Sequence, residues 1–321
     1  MFHFDNKLEF QNKENDILTI GELLIDMISD DYNDEHETSS YKKYFGGSPS
    51  NIAMNVKKLG INSLVASSVG RDTLGSFLIN ELKVARIDTK CVQTVEYATS
   101  MVLVNKSKGS PVPIFYREAD YHLSYTTEIE QALINSKVVH FSCWPISRTP
   151  VRDTIEKVLE SAEKNNLLVG FDPNYHPMIW QKGENGIDYV KEIISRVDIV
   201  KPSEDDAERL FGKDTVENQV RKFLELGAKL VIMTLGKDGA IVSNGQEVHR
   251  FKTFATNVVD TTGAGDAFWS GFYAALIKGH TIKEALKLGF AVSAFKLQYT
   301  GAVVELPSLE EIKNLYQWSE V

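Results

Sequence analysis

Residues 138–171 read VVHFSCWPISRTPVRDTIEKVLESAEKNNLLVGF. Val138–Phe141 is a short apolar run that predicts a strand, Arg148–Lys164 predicts a helix, and Leu167–Phe171 predicts a second strand. A strand, a helix and a strand in that order form the right-handed crossover unit of a parallel sheet. The alternation extends in both directions. Upstream, Ile17–Ile25 predicts a strand, Ser48–Gly60 a helix, Ser63–Val69 a strand and Thr73–Lys83 a helix. Ser48 is placed to cap the first of these helices, Pro49 suits its first turn and Gly60 stops it. Downstream follow a helix at Ile187–Ser195, a strand at Ile199–Val200, and helices at Glu204–Leu210 and Val216–Leu226. A strand at Leu230–Leu235 and two long helices, Ala264–Lys278 and Ile282–Leu297, complete the pattern. The predicted fold class is α/β, a doubly wound and mostly parallel sheet with helices on both faces.

Two stretches break the alternation. Met27–Tyr44 is rich in charge and strand formers, and Ala98–Tyr116 holds Met101–Val104 and Ile114–Tyr116 around a Gly109/Pro111 turn. Strands without partner helices predict a small second sheet made of two insertions, placed to act as a lid; an antiparallel extension of the main sheet is the alternative. Residues 17–26, 46–97 and 118–315 then form the main domain, and 27–45 with 98–117 the inserted lid. An apolar outer face on those strands would suit a homodimer formed through the lid.

Composition narrows the function. The 321 residues carry 35 Lys and Arg against 44 Asp and Glu, a formal charge of −9, which disfavours non-specific nucleic-acid binding. No apolar run reaches the roughly 18–20 residues of a membrane span. Residues 1–16 lack the apolar centre of a signal peptide, so a soluble, cytoplasmic protein is expected. The two cysteines, Cys91 and Cys143, are too few for a disulfide scaffold and read as reduced thiols.

The chemistry concentrates in Val258–Phe268, VVDTTGAGDAF. Gly263, Ala264 and Gly265 form a turn that opens a long helix, where converging N–H groups and the helix dipole favour an anion, phosphate above all. Asp266 lies in that same first turn. A carboxylate beside bound phosphate is repelled, so its presence makes sense if it accepts the proton of a hydroxyl attacking that phosphate. A helix-start carboxylate favoured by the dipole is the plainer alternative. No G-x-x-x-x-G-K-[ST] loop occurs, which excludes that type of nucleotide site.

D-T-T-G-A-G-D-A-F at 260–268 and G-G-S-P-S-N-I-A at 46–53 resemble the two signatures of the ribokinase-like carbohydrate kinase family. The resemblance spans about Ile17 to Pro307. G-E-L-L-I-D (21–26), S-V-G-R-D-T-L-G (68–75), D-P-N-Y (172–175), K-P-S-E-D-D (201–206) and T-L-G-K-D-G (234–239) fall in family order. It implies transfer of a phosphoryl group from ATP to a sugar hydroxyl, with Mg²⁺ and in many relatives K⁺. It assigns sugar contacts to Asp26, Gly46, Gly47, Asn51 and Asn174. Phe115–Asp120 resembles the fructokinase branch, in which Arg117 would reach the sugar, and equally the branch acting on deoxy-keto-gluconates; a solvated surface charge is also compatible. Lys201, Ser203, Thr234, Gly236 and Gly239 are implied nucleotide contacts. Asp206, with Glu204 as the spare, is the implied Mg²⁺ residue, and Asp260 with Thr262 the implied monovalent-cation site. His176 stands where relatives handling acidic sugars place an arginine, which favours a neutral sugar, fructose, over 2-keto-3-deoxygluconate or 5-dehydro-2-deoxygluconate. A catalytically silent sugar or nucleotide sensor is the reading from another class.

Overall fold

The computed structural model describes residues 2–32, 38, 40–106 and 113–316. Its layers can be read from one strand, β1 (Asn15–Ile20). Ile17 packs into one core, and Leu18 and Ile20 pack into the core on the other face. Side chains alternate across a strand, so a strand with apolar residues at successive positions must be covered on both faces.

The remaining strands are β2 (Leu24–Tyr32), β3 (Tyr41–Gly46), β4 (Ser63–Gly70), β5 (Val92–Val95), β6 (Met101–Lys106) and β7 (Ile114–Tyr116). They continue as β8 (Ser136–Ser142), β9 (Leu168–Asp172), β10 (Ile199–Val200), β11 (Leu230–Thr234), β12 (Ala240–Ser243) and β13 (Val248–Phe251). Nine of them form one sheet in the order β13-β12-β11-β10-β9-β8-β1-β4-β5. It is parallel from β11 to β5, and β12 and β13 close one edge as an antiparallel hairpin. The helices Val151–Lys164, Ile187–Ile194 and Val216–Glu225 cover one face. Ser48–Lys58, Ala264–Ile277 and Ile282–Lys296 cover the other. Ala264–Ile277 is buried continuously from Asp266 to Leu276, as expected of a helix that is apolar on all sides.

The second sheet is separate, with order β3-β2-β6-β7. β2 and β6 run parallel and the outer pairs antiparallel, so the alternative of an extended main-sheet edge is set aside. The expected Gly109/Pro111 turn lies outside the described residues.

Three expectations need correction. Ile17–Ile25 is two strands in two sheets, because the chain leaves the main sheet at Gly21, where φ is +146°, a conformation open to glycine. The apolar run resumes at Leu23, directly after Gly21-Glu22, since both sheets bury it. Asp26 therefore stands on β2 of the small sheet. The helix expected from Arg148 begins at Val151, because Pro150 biases the residue before it away from helix. Ser48 does not cap its helix: Gly47 holds that position, and the Ser48 N–H is received by Glu22 Oε1 at 3.0 Å. No helix among the described residues is long and apolar enough to cross a membrane, and Cys91 and Cys143 are buried and free.

Candidate active site

Parallel strands deliver their following residues to one side of the sheet, where open α/β sheets bind ligands. Here β1, β8, β9, β10 and β11, neighbours in the sheet, bring Glu22, Trp144, Asp172, Lys201 and Thr234 to the wall of one cavity of about 420 Å³. The helix starts at Gly47–Ser48 and Gly263–Asp266 and strand β2 with Asp26 close it. A larger cleft of about 620 Å³ opens at the other ends of the strands. Its Lys137 and Lys229 are paired with Asp16 and Asp198, and none of the expected site residues lines it.

Asp266 is buried at the cavity wall. Ser48 Oγ donates to its Oδ1 at 2.7 Å and Asn51 Nδ2 to its Oδ2 at 2.9 Å. Two donors that share one carboxylate fix its plane, so Asp266 is held by the other signature helix, from more than 200 positions away in the chain. Burial raises its carboxyl above the ordinary range; the two hydrogen bonds oppose that rise, and nearby Asp172 adds to it. Across the cavity, burial and then the Asp266 charge push Asp26 up to about 7. Burial pushes Glu22 up to about 8.

Gly46 and Gly47 are required for steric reasons. A Cβ on Gly46 would come within 2.4 Å of Asp26 Oδ2, and one on Gly47 within 2.3 Å of the Glu22 carbonyl, with Gly47 already at φ +103°. Backbone and carboxylate therefore approach more closely than any side chain would allow.

Gly263 precedes its helix in a left-handed conformation. The Ala264 N–H turns back to the Thr261 carbonyl at 3.1 Å, so it is not free for an anion as expected. The N–H groups of Gly265 and Asp266 find no protein acceptor among the described residues, as first-turn donors do when a ligand is to take them. Lys201 stands over this turn: a Cβ on Gly265 would lie 3.3 Å from its Nζ. It is buried and paired with Asp172 Oδ2 at 3.0 Å, which also receives Trp269 Nε1 at 2.9 Å.

The structure gathers Asp26, Gly47, Asn51, Asn174, Lys201, Ser203, Asp206, Thr234, Thr262, Gly263, Ala264, Gly265 and Asp266 around one space. It leaves six expected residues outside the wall: Gly46, which packs against the Asp26 carboxylate, and five others. Glu204 points into solvent on its helix start, Gly236 lies in an exposed turn, and buried Gly239 packs against the Phe251 carbonyl at the base of the β12–β13 hairpin. Asp260 lies behind the cavity wall, its carboxylate receiving the Thr262 and Gly301 N–H groups at 2.9 and 2.8 Å. Arg117 lies beneath the site and not in it. All five of its N–H groups are taken: Nε and Nη2 by Asp120 Oδ2 (3.0 and 2.6 Å), Nη1 by Ser147 Oγ and the Ile179 carbonyl (2.7 and 3.1 Å), and Nη2 again by the Trp144 carbonyl (3.2 Å). Its guanidinium lies 4.3 Å from the ring centroid of Trp144, which does line the cavity. His176 accepts the Met178 N–H at 3.2 Å and caps a short turn.

Ser203 and Asp206 form a reciprocal helix cap, the Ser203 hydroxyl receiving the Asp206 N–H at 3.1 Å. Asp206 Oδ1 also accepts the Tyr175 N–H at 2.6 Å, and Oδ2 accepts Ser203 N and Oγ at 2.9 and 2.7 Å. Three bonds leave this carboxylate about one acceptor position. It suits contact with a hydrated cation through water, and no group of three or more metal-ligating side chains occurs among the described residues.

Glu22, Ser48 and Asp172 were not assigned to the site from sequence. Each sits inside a quoted motif, so the signal was present in G-E-L-L-I-D, G-G-S-P-S-N and D-P-N-Y, without the geometry that gives it a role.

Comparison with known proteins identifies the family. Residues 14–309 match the family described as pfkB family carbohydrate kinase. A protein of Thermoanaerobacterium thermosaccharolyticum named ATP-dependent 6-phosphofructokinase is 62% identical over 98% of this chain and 98% of its own length. The solved fructokinase of Halothermothrix orenii is 42% identical with a TM-score of 0.78, over 88% of this chain and 99% of that one. A sugar kinase of Pyrococcus horikoshii, solved in complex with ATP, is 31% identical with a TM-score of 0.79, over 93% of this chain and 97% of that one. With the doubly wound sheet, the four-stranded side sheet and both signature turns on a single cavity, this chain belongs to the pfkB family of carbohydrate kinases.

Proposed function

We propose that this protein transfers the γ-phosphoryl group of ATP to a primary hydroxyl of fructose, giving fructose 6-phosphate and ADP. One observation carries the reading: a buried carboxylate, Asp266, is fixed beside unpartnered helix-start N–H groups in a cavity that also holds Asp26. The hydroxyl oxygen attacks the γ-phosphorus, its proton passes to Asp266, and the bond to the ADP oxygen breaks. The Gly265 and Asp266 N–H groups and the Lys201 ammonium balance charge on the moving phosphoryl group. ATP is supported by the nucleotide bound in the Pyrococcus relative. Magnesium accompanies ATP in such transfers and neutralises phosphate charge; Asp206 would hold its waters. Asp26 accepts hydrogen bonds from sugar hydroxyls, and the small sheet covers the sugar as a lid. Ile114 and Tyr116, exposed on β7, offer the start of an apolar face for a second copy.

Fructose is favoured by charge. Among the described residues Lys201 is the one cation on the cavity wall, and it serves the anion turn, so the sugar end offers nothing to a carboxylate. A second reading, fructose 6-phosphate, is supported by the 62% identity to the protein named for that substrate. An ADP-release assay with fructose, fructose 6-phosphate, 2-keto-3-deoxygluconate and 5-dehydro-2-deoxygluconate separates them. Fructose is expected to lead in kcat/KM by about tenfold or more. A lead by fructose 6-phosphate moves the assignment to phosphofructokinase, and calorimetric binding of sugar without ADP from any of the four makes the protein a sensor.

The raised carboxyls set a pH dependence. Asp266 works unprotonated, and Asp26 at about 7 accepts best unprotonated, so activity falls as pH falls. At constant MgATP, kcat/KM should show an acid limb above the ordinary carboxylate range, and Asp26→Asn should remove the part near pH 7. A flat profile between about pH 5 and about pH 9 would contradict a sugar-contact role for the raised Asp26 carboxyl.

A further inference from the structure

The anion turn is held from behind by the end of the helix Ile282–Lys296. The Leu297 carbonyl accepts the N–H groups of Val259 and Asp260 at 2.8 and 3.3 Å, and Ser293 Oγ donates to the Ala264 carbonyl at 2.9 Å. Lys296 is wholly buried. Its Nζ donates to the Asp260 carbonyl at 2.8 Å and lies 4.0 Å from Asp260 Oδ2. The charged groups facing it are Asp260 and Asp266. A buried ammonium is costly unless it answers a charge or a set of oxygens, so its position behind a phosphate-binding turn calls for a reason.

Asp260 and Thr262 are the place where family resemblance puts a monovalent cation, and the Asp260 oxygens here already face an ammonium. Asp260 Oδ1 is taken by the Thr262 N–H at 2.9 Å, Oδ2 by the Gly301 N–H at 2.8 Å, and the Asp260 carbonyl by Lys296. Each oxygen keeps a further lone pair, but a second cation placed on them would have to crowd the Lys296 ammonium.

We propose that the Lys296 ammonium is itself the cation of this site, a tethered charge that sets the Asp260 turn and, through it, the direction of the Gly265 and Asp266 N–H groups, so that turnover needs no added K⁺. Lys296 touches neither sugar nor nucleotide and is a positioning residue. The inference rests on the anion-turn reading above, and the two fail differently: if that reading is wrong, Asp266→Asn keeps its turnover, whatever the cations do.

The test is ADP release in buffers with tetramethylammonium as the sole monovalent cation, MgATP fixed, and KCl or NH₄Cl added. Wild-type kcat should change by less than about twofold, while Lys296→Ala, with the turn displaced, should lose about tenfold or more in kcat with sugar KM nearly unchanged. NH₄⁺ or K⁺, small enough for the vacated space, should restore part of that kcat in a saturable way, and tetramethylammonium should not. Lys296→Met fills the space without charge and should be slow and unresponsive, which serves if the alanine variant folds poorly. Strong activation of the wild type by K⁺, full kcat in Lys296→Met, or a folded Lys296→Ala that no small cation improves would each overturn the proposal.

Discussion

Asp266→Asn should fold as the wild type does and turn over about 10²-fold more slowly or worse. The amide keeps the size of the carboxylate and can still accept from Ser48 Oγ, which now donates to Asp266 at 2.7 Å. Its NH₂ group meets Asn51, whose unpartnered Oδ1 can turn to receive it. It cannot take the proton of an attacking hydroxyl. Stability should not suffer, and the sign follows from the raised carboxyl. A folded-state pKa above the unfolded one means that at neutral pH the fold disfavours the charged form. Replacing it with a neutral group is then neutral or stabilising. ATP binding should hold or tighten, since a negative charge beside the phosphates is gone. Single-turnover ADP release and urea unfolding on the same preparation decide it; turnover within tenfold of wild type would remove Asp266 from the base role.

Arg117→Met should lower unfolding free energy by about 3–5 kcal/mol, because it strands a buried carboxylate. The side chains of Arg117 and Asp120 are 1% and 0% exposed and 2.6 Å apart. Asp120 also receives Ser100 Oγ and Trp144 Nε1, so the pair joins the small sheet to the end of β8. Removing both charges, in Arg117→Met with Asp120→Leu, should recover much of the loss. A direct sugar contact by Arg117, the expectation from sequence, predicts another result: a large rise in sugar KM with the urea midpoint unmoved. The two outcomes are read from the same two curves.

Much of the architecture was legible because its signal is local. Helical and strand periods, Gly60 as a stop and the turn before Ala264 each declare themselves within a dozen residues. What escaped depends on partners far away in the chain. Gly21 and Glu22 interrupt the apolar run for only two positions, too short a break to mark locally where the chain changes sheets. Ser48 looks like a helix cap because serine before a helix commonly is one, and only Glu22, arriving from the end of β1, takes that task and frees the hydroxyl for Asp266. Lys296 looks like an ordinary basic residue at a helix end, where the dipole favours it; its acceptor lies 36 positions earlier. Arg117 was misjudged for the same reason, since Ser147 and Ile179, which use up its donors, are separated from it by whole helices and strands.

The departure of the chain from the main sheet at Gly21 places Glu22 and Asp26, four residues apart, on two different bodies. Glu22 is anchored to the platform, whereas Asp26 belongs to the cover. On the function proposed above, any tilt of the small sheet carries Asp26, its sugar contact, with it, so recognition and enclosure become a single movement. On that same reading, with the small sheet raised, a stray water would meet Asp266 without the second carboxylate that aligns the true acceptor, and the way the strands are connected would curb idle consumption of ATP.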